Sequence, residues 1–261
     1  MIKSLHTAAT GMQAQNTQMD VIANNIANTS TTCFKKARAE FEDLLYHNEK
    51  TPGAVTGNNS VSPNGVQIGM GVKTGATQRD MALGSVKMTN REFDMSIEGK
   101  GFFQVLKPDG TTAYTRNGEF RLNGDGQVVD ANGNQLQPGI TVPAEKANLM
   151  INNRGEISIT TAENAAPQVI GQIELVNFVN PTGLKAVGGN LFVSTPASGE
   201  AQAGTPDQGG LGAIAQGQLE NSNVNIVEEM VNMITTQRGY ETNSKVIQAS
   251  DQMLQALTHL R

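Results

Sequence analysis

The chain has one cysteine, no tryptophan, three histidines and an aromatic content of only 4% over 261 residues. A lone thiol, Cys33, excludes an internal disulfide. It leaves the redox compartment open, because an exported chain that uses no disulfides has the same composition. Charge is also sparse, at 16% of residues, with a net −5 and no basic block. That balance speaks against nucleic acid or an anionic membrane surface as a partner. No apolar run approaches the roughly 20 residues of a membrane-spanning helix, so membrane insertion is not expected. Behind Lys3, the polar Thr10, Gln13, Gln15 and Asn16 fall where a cleaved signal needs its apolar centre. The general secretory route is therefore not the expected way out. Apolar residues still make up 38% of the chain, too many for a disordered one, so the core should be thin and β-rich.

Catalytic and ligand-binding patterns are missing too. None of His6, His47 and His259 has a ligand-type neighbour three or four residues on, so no metal site is expected. Asp130-Ala131-Asn132-Gly133-Asn134 opens like a calcium loop, but Gln135 and Thr141 occupy the places of the required glycine and bidentate acid. Gly69-Met70-Gly71 and Gly99-Lys100-Gly101 lack the third glycine and following helix of a dinucleotide site, so no cofactor is expected. Nothing orients Cys33 as a nucleophile. Asp94 and Glu98 read as solvent-facing acids at alternate strand positions rather than an acid/base pair. The sequence predicts no catalytic residue.

What is present is concentrated at the two ends. Ile226, Met233, Tyr240, Ile247 and Leu254 recur at every seventh position, Met230 extends the stripe, and Val246, Met253, Leu257 and Leu260 broaden it. Asn225 with Glu228 three residues on is a helix-start signal. About 35 residues at about 1.5 Å each give a rod of about 50 Å, apolar on one stripe and in need of a partner. At the front, Ile2, Leu5, Ala9, Met12, Asn16, Met19, Ala23 and Ile26 alternate steps of three and four, a coiled-coil seam with one polar member, Asn16. Gly11 and Gly239 inside these helices each cost about 1 kcal/mol against alanine, so neither helix should stand alone. The two are expected to pair side by side.

Between them the fold should be β-rich, which makes the class α+β: long terminal helices in an antiparallel coiled-coil-like pair, a β middle and an extended linker. The expected divisions are residues 1–30 (first helix), 31–92 (linker and β region), 93–200 (β-domain), 201–223 (return linker) and 224–261 (last helix). Residues 47–65, with Pro52, Gly53, Asn58, Asn59, Pro63 and Gly65, form a polar stretch without period. It reads either as a surface loop or as an extended finger that orders against a neighbouring molecule. In residues 93–105, Gly99 and Gly101 interrupt an alternating pattern that Phe102 and Phe103 resume, a strand, a tight turn and a second strand. Further strands are expected at 66–72, 76–81, 113–122, 149–151, 156–160, 169–178 and 191–193, with turns at Asp109-Gly110, Asn123-Gly124, Asp125-Gly126 and Asn132-Gly133.

Several of these stretches together resemble the axial proteins of the bacterial flagellum, the rod and hook family. They are Ala23-Asn24-Asn25-Ile26-Ala27-Asn28 with Phe34-Lys35, then Ile97-Glu98-Gly99-Lys100-Gly101-Phe102-Phe103 and Tyr114-Thr115-Arg116-Asn117-Gly118-Glu119-Phe120. At the end come Ser222-Asn223-Val224-Asn225, Glu228-Glu229-Met230-Val231 and Gln237-Arg238-Gly239-Tyr240-Glu241. The match covers the chain in order. There is no room for the extra outer domain of hook members. Phe41-Glu42-Asp43-Leu44-Leu45-Tyr46 with the following Gly/Pro/Asn stretch is similar to members of the distal rod, those of the proximal rod being the nearest competitor. Cys33 stands where the family usually has glycine, and Gly239 where alanine is common. The resemblance implies export by the flagellar type III apparatus and self-assembly into a hollow drive shaft carrying torque across the periplasm. The proximal rod would lie below, the hook above, and the P and L rings around it. A coiled-coil-anchored surface adhesin and a β-rich hydrolase are the readings from other classes; the first lacks a signal peptide or anchor, the second an acid/base pair in context.

Overall fold

The computed structural model describes residues 2–53, 64–143, 146–161 and 166–259. Helix α1 (Ile2–Ala27) starts the chain and α2 (Ile226–His259) ends it. α2 begins where the sequence predicts: Asn225 Oδ1 accepts from the Val227 amide at 3.1 Å, and Glu228 and Glu229 lie in the first turn, where acids suit the helix dipole. α1 frays into a turn at Asn28-Thr29-Ser30, residues whose side chains compete with helix hydrogen bonds.

The chain forms two compact units. The first joins both helices with residues 37–79. In it β1 (Ala37–Asp43) pairs antiparallel with β4 (Val72–Arg79), and β2 (Tyr46–Lys50) with β3 (Val66–Gly69). Residues 47–50, expected in the irregular stretch, are thus one arm of a β-ribbon. Strands 37–79 belong with the helices rather than to a separate linker.

The second unit holds residues 28–36 and 80–224. Its short ribbons set β5 (Val86–Met88) against Gln218–Glu220 and β6 (Met95–Glu98) against Ala213–Gln216. The main sheet is built on β7 (Phe102–Leu106), which pairs with β8 (Thr112–Thr115), Gln135–Gln137 and Leu175–Asn177. Neighbouring residues of a strand face opposite sides, so Phe102 and Phe103 enter different cores. Phe103 joins the larger one with Met95, Ile97, Val105, Leu136 and Leu175, edge-on to Phe120 at 5.3 Å. Phe102 joins a smaller aromatic cluster with Tyr114, Phe178 and Phe192. A chain poor in aromatics spends most of them on these two clusters.

The turns repeat one design. Asn123, Asp130 and Asn152 each accept, through Oδ1, the amides two and four residues on, and each bonds the side chain at the fourth. That is Asx-turn chemistry, which competes with regular structure only locally. Two expected strands are corrected. Residues 169–178 are two strands in different sheets, Gln168–Gln172 and Leu175–Asn177, because Ile173 is buried in the larger core and its amide bonds Gly155 O. The strand expected over 113–122 is broken: it stops at Thr115, where Arg116 turns inward, and strand pairing resumes only at Arg121–Leu122.

Candidate assembly surface and the buried ion hub

The two helices pack antiparallel. Asn25 Nδ2 donates to Glu229 Oε2 at 3.2 Å near one end, and Asn243 Nδ2 to Gln15 Oε1 at 3.1 Å further along. Gly11 and Gly239 lie where the helices come close, each against the end of a side chain from the other helix. A Cβ on Gly11 would lie 2.9 Å from Asn243 Nδ2, and one on Gly239 would run into the Gln15 amide.

The seam between the helices differs from the expected one. On α1 the covered positions are Ala8, Ala14, Ile22 and Asn25, with Gly11, Gln15 and Gln18 half-covered between them. This line runs one residue before the predicted stripe. Leu5, Met12, Met19 and Ile26 sit on its flank, half-buried, and Ala9, Asn16 and Ala23 are exposed. Asn16 is therefore not a buried register-setting residue. Small side chains occupy the contact because they let the backbones close in, and the bulky ones are displaced to the side. On α2, Met233, Tyr240, Ile247 and Leu254 are half-buried, whereas Ile226 and Met230 are exposed. Val227, Met230, Val231 and Ile234 then form an uncovered apolar row at helical spacing, 51–70% exposed.

The predicted finger splits. Pro52 and Gly53 form the turn that follows β2, and Gly65 directly precedes β3. Asn58, Asn59 and Pro63 lie outside the described residues. The ribbon is exposed along β2, and Leu45 before it is 87% exposed. A two-stranded ribbon is marginal in water by itself, so this one suits a neighbouring surface.

The glycine turn belongs to a network that the sequence did not reveal. Gly99 and Gly101 take φ of 133° and 136°, open only to glycine, and so turn carbonyls toward Arg116. Its Nη1 donates to Gly101 O at 2.9 Å and its Nη2 to Ile97 O and Gly99 O, both at 3.1 Å. Nε donates to Glu220 Oε2 at 3.0 Å. Lys35 Nζ lies 2.5 Å from the other Glu220 oxygen and donates to Ala82 O at 2.6 Å. All three side chains are buried. Burial pushes the Glu220 carboxyl up, but Arg116 and Lys35 outweigh it and hold it below the ordinary value. For Lys35 burial wins over the attraction of Glu220, and the ammonium is pushed down.

Cys33 borders this hub. Its amide bonds Glu220 O at 2.8 Å, its thiol donates to Arg116 O at 2.9 Å, and its φ is 57°, in the left-handed region that favours glycine. Burial first, then Glu220, pushes the thiol from 9.0 up to about 12. A raised value means that the stability it contributes is full below 9.0 and lost as pH climbs toward 12. Lys35 pulls the other way up to 10.5. The difference between wild type and Cys33→Ala isolates the thiol. Urea midpoints across that alkaline window should converge as pH rises, and parallel curves would contradict the assignment.

Asp94, read as solvent-facing, is 1% exposed. Neither carboxylate oxygen has a hydrogen-bond partner, and Arg91 Nη1 stands 4.0 Å away. Glu98 is exposed. Among the described residues no three His, Cys, Asp or Glu side chains gather as metal ligands.

Three family descriptions match: "Flagella basal body rod protein" over residues 5–35, "Flagellar hook protein FlgE/F/G D1 domain" over 96–159, and "Flagellar basal body rod FlgEFG protein C-terminal" over 215–260. The flagellar basal-body rod protein FlgG of Buchnera aphidicola subsp. Baizongia pistaciae is 46% identical over 260 residues, covering all of both chains. That of Borreliella burgdorferi is 46% identical over 263 residues, covering 100% of this chain and 99% of the relative. The chain belongs to the FlgG family. The flagellar hook protein FlgE of Salmonella typhimurium is a more distant match, 24% identical in an alignment of 420 residues that takes in 99% of this chain and all of the relative. FlgG relatives match end to end without such lengthening. The three matched stretches contain the paired helices, the glycine turn with Arg116, and Glu220.

Proposed function

We propose that the chain is a structural subunit of the distal rod of the bacterial flagellum, a self-assembling hollow shaft that passes torque from motor to hook. The observation that carries this reading is the end-to-end match to FlgG relatives. The exposed row on α2 supports it physically: a helix pair that leaves Val227 70% exposed is an unfinished surface, and copies of the same chain can complete it. In this reading the terminal helices line the tube. The flanking partners are the proximal rod and the hook, the P and L rings surround the shaft, and the subunit leaves the cell through the type III export apparatus. The half-buried Leu5, Met12, Met19, Ile26, Met233, Tyr240, Ile247 and Leu254, with exposed Ile226 and Met230, are the proposed assembly residues.

The test is restoration of rods, seen in isolated basal bodies, when the gene for this chain is returned to a strain lacking its rod subunit. The ribbon has its own prediction. Deleting residues 47–65 should leave the β-unit folded, with an unaltered melting curve, while the assembled shaft becomes bent or weak. Straight, full-strength rods from the deletion would remove the ribbon as a stiffening contact.

A further inference from the structure

Asp94 carries a carboxylate inside the β-unit, and its lack of donors is shared by its neighbours. Among the described residues five buried side-chain oxygens have no hydrogen-bond partner, and four of them lie between residues 89 and 96. They are Thr89 Oγ1, both oxygens of Asp94, and Ser96 Oγ. Nearly every buried polar group in a folded protein is paired, so four orphans in one stretch call for a ligand. Met95 and Ile97 enter the larger core, and Asp94 and Ser96, which alternate with them, share the opposite face. Each of these two is 1% exposed. Thr89 is tied to the same point by Gly217, whose O accepts from the Thr89 amide at 2.8 Å and whose N donates to Asp94 O at 2.7 Å. All of these residues belong to the unit of residues 28–36 and 80–224.

Both hydroxyls could donate to the carboxylate, yet neither does. Oxygens that share a metal cation at about 2.4 Å stand about 3.4 Å or more from one another, too far to bond among themselves. A set of oxygens that face one region without pairing has that arrangement. We propose that Asp94, Ser96 and Thr89 hold an alkali cation, sodium or potassium. Charge selects the class: one carboxylate balances one positive charge. Arg91 Nη1, 4.0 Å from Asp94 and 3.6 Å from Glu119, penalises a second. A calcium site draws on several acids, and only one is present here. A cleft of about 430 Å³ lined by Arg91, Phe93, Asp94 and Phe120 gives the ion a way in, and water completes its shell. The bound ion removes the cost of an unpaired buried carboxylate and so favours the folded β-unit.

The experiment is a thermal melt of the full-length soluble chain in sodium, potassium or N-methylglucamine chloride at equal ionic strength. An alkali salt at ten times its dissociation constant should favour folding about tenfold, a rise of about 3–5 °C in Tm over the organic cation. Whichever of the two salts gives the larger rise names the ion. Asp94→Asn should abolish the difference between alkali and organic salt. Ser96→Ala supplies a readout that a packing role would not move. In the alkali salt it should lower Tm, because the ion loses a ligand. In N-methylglucamine chloride it should raise Tm or leave it unchanged, because an orphaned hydroxyl is gone. If Asp94→Asn does not fold, the two Ser96→Ala melts decide. Equal wild-type Tm in all three salts would overturn the site, as would a salt difference that survives in Asp94→Asn. So would a Ser96→Ala loss of the same size in every salt. None of these melts depends on what the chain assembles into, so the shaft reading stands or falls separately.

Discussion

Glu220→Ala should cost the β-unit about 3–5 kcal/mol, the usual penalty for removing one member of a buried ion pair. The size follows from what remains. Lys35 loses its anion while its bond to Ala82 O remains, and Arg116 keeps three carbonyls, so two buried cations lose their shared anion. Glu220→Gln keeps the shape and an acceptor for the Gly84 amide, which donates to Glu220 Oε1 at 2.9 Å, but not the charge, and should fall between. Replacing Lys35, Arg116 and Glu220 together by apolar residues should cost less than Glu220→Ala, since no charge is then stranded. The pH dependence has a definite sign. A carboxyl held below its ordinary 4.5 contributes stability above that value and loses it as pH falls through the folded value. Lys35, pushed below 10.5, also makes stability rise with pH, between its folded value and 10.5. Urea midpoints measured from neutral to acid pH should therefore drop in wild type and flatten in Glu220→Ala. A variant within about 1 kcal/mol of wild type would show that the hub contributes little net stability.

The ends of the chain were more legible than its middle. Asn225 announced α2 because capping is a local bond, readable within four residues. The seam of α1 was misplaced by one residue for an equally physical reason. A seven-residue period marks a stripe but not what covers it, and the bulky Met12 and Met19 drew the reading away from Ala8, Gly11 and Ala14, where the helices touch. The hub was illegible because Lys35 and Glu220 are 185 positions apart and share no pattern. Asp94 alternates like an exposed acid, and only the ribbon folded against its strand reveals its burial. The ribbon of β2 and β3 is half legible: β3 falls inside the strand expected at 66–72, whereas β2 carries no apolar alternation, since paired backbones need none when both faces are wet.

Val231→Asp with Ile234→Asp should abolish rod assembly while leaving the isolated chain folded. Both side chains are more than half exposed, and neither belongs to either core cluster, so a lone molecule loses little. In an assembled shaft the row would be covered by a neighbouring copy. Fully burying such a side chain is worth about 1.5–3 kcal/mol, and about half of each is still uncovered, so losing both is about 1.5–3 kcal/mol per subunit before the cost of burying a carboxylate is added. At 1.4 kcal/mol per tenfold, the concentration needed for polymerisation rises by about one to two orders of magnitude from that loss alone. Met233→Asp and Ile247→Asp should block assembly too, but those side chains are half-buried in the monomer's own helix pair and would also loosen it. The exposed-row variant is the cleaner case, because its loss appears only where copies meet. Electron microscopy of basal bodies reads the outcome, with circular dichroism of the soluble chain as the check on folding. Rods of normal length from the double variant would mean that this face of α2 stays bare in the shaft, and the surface completed by neighbouring copies would have to lie elsewhere.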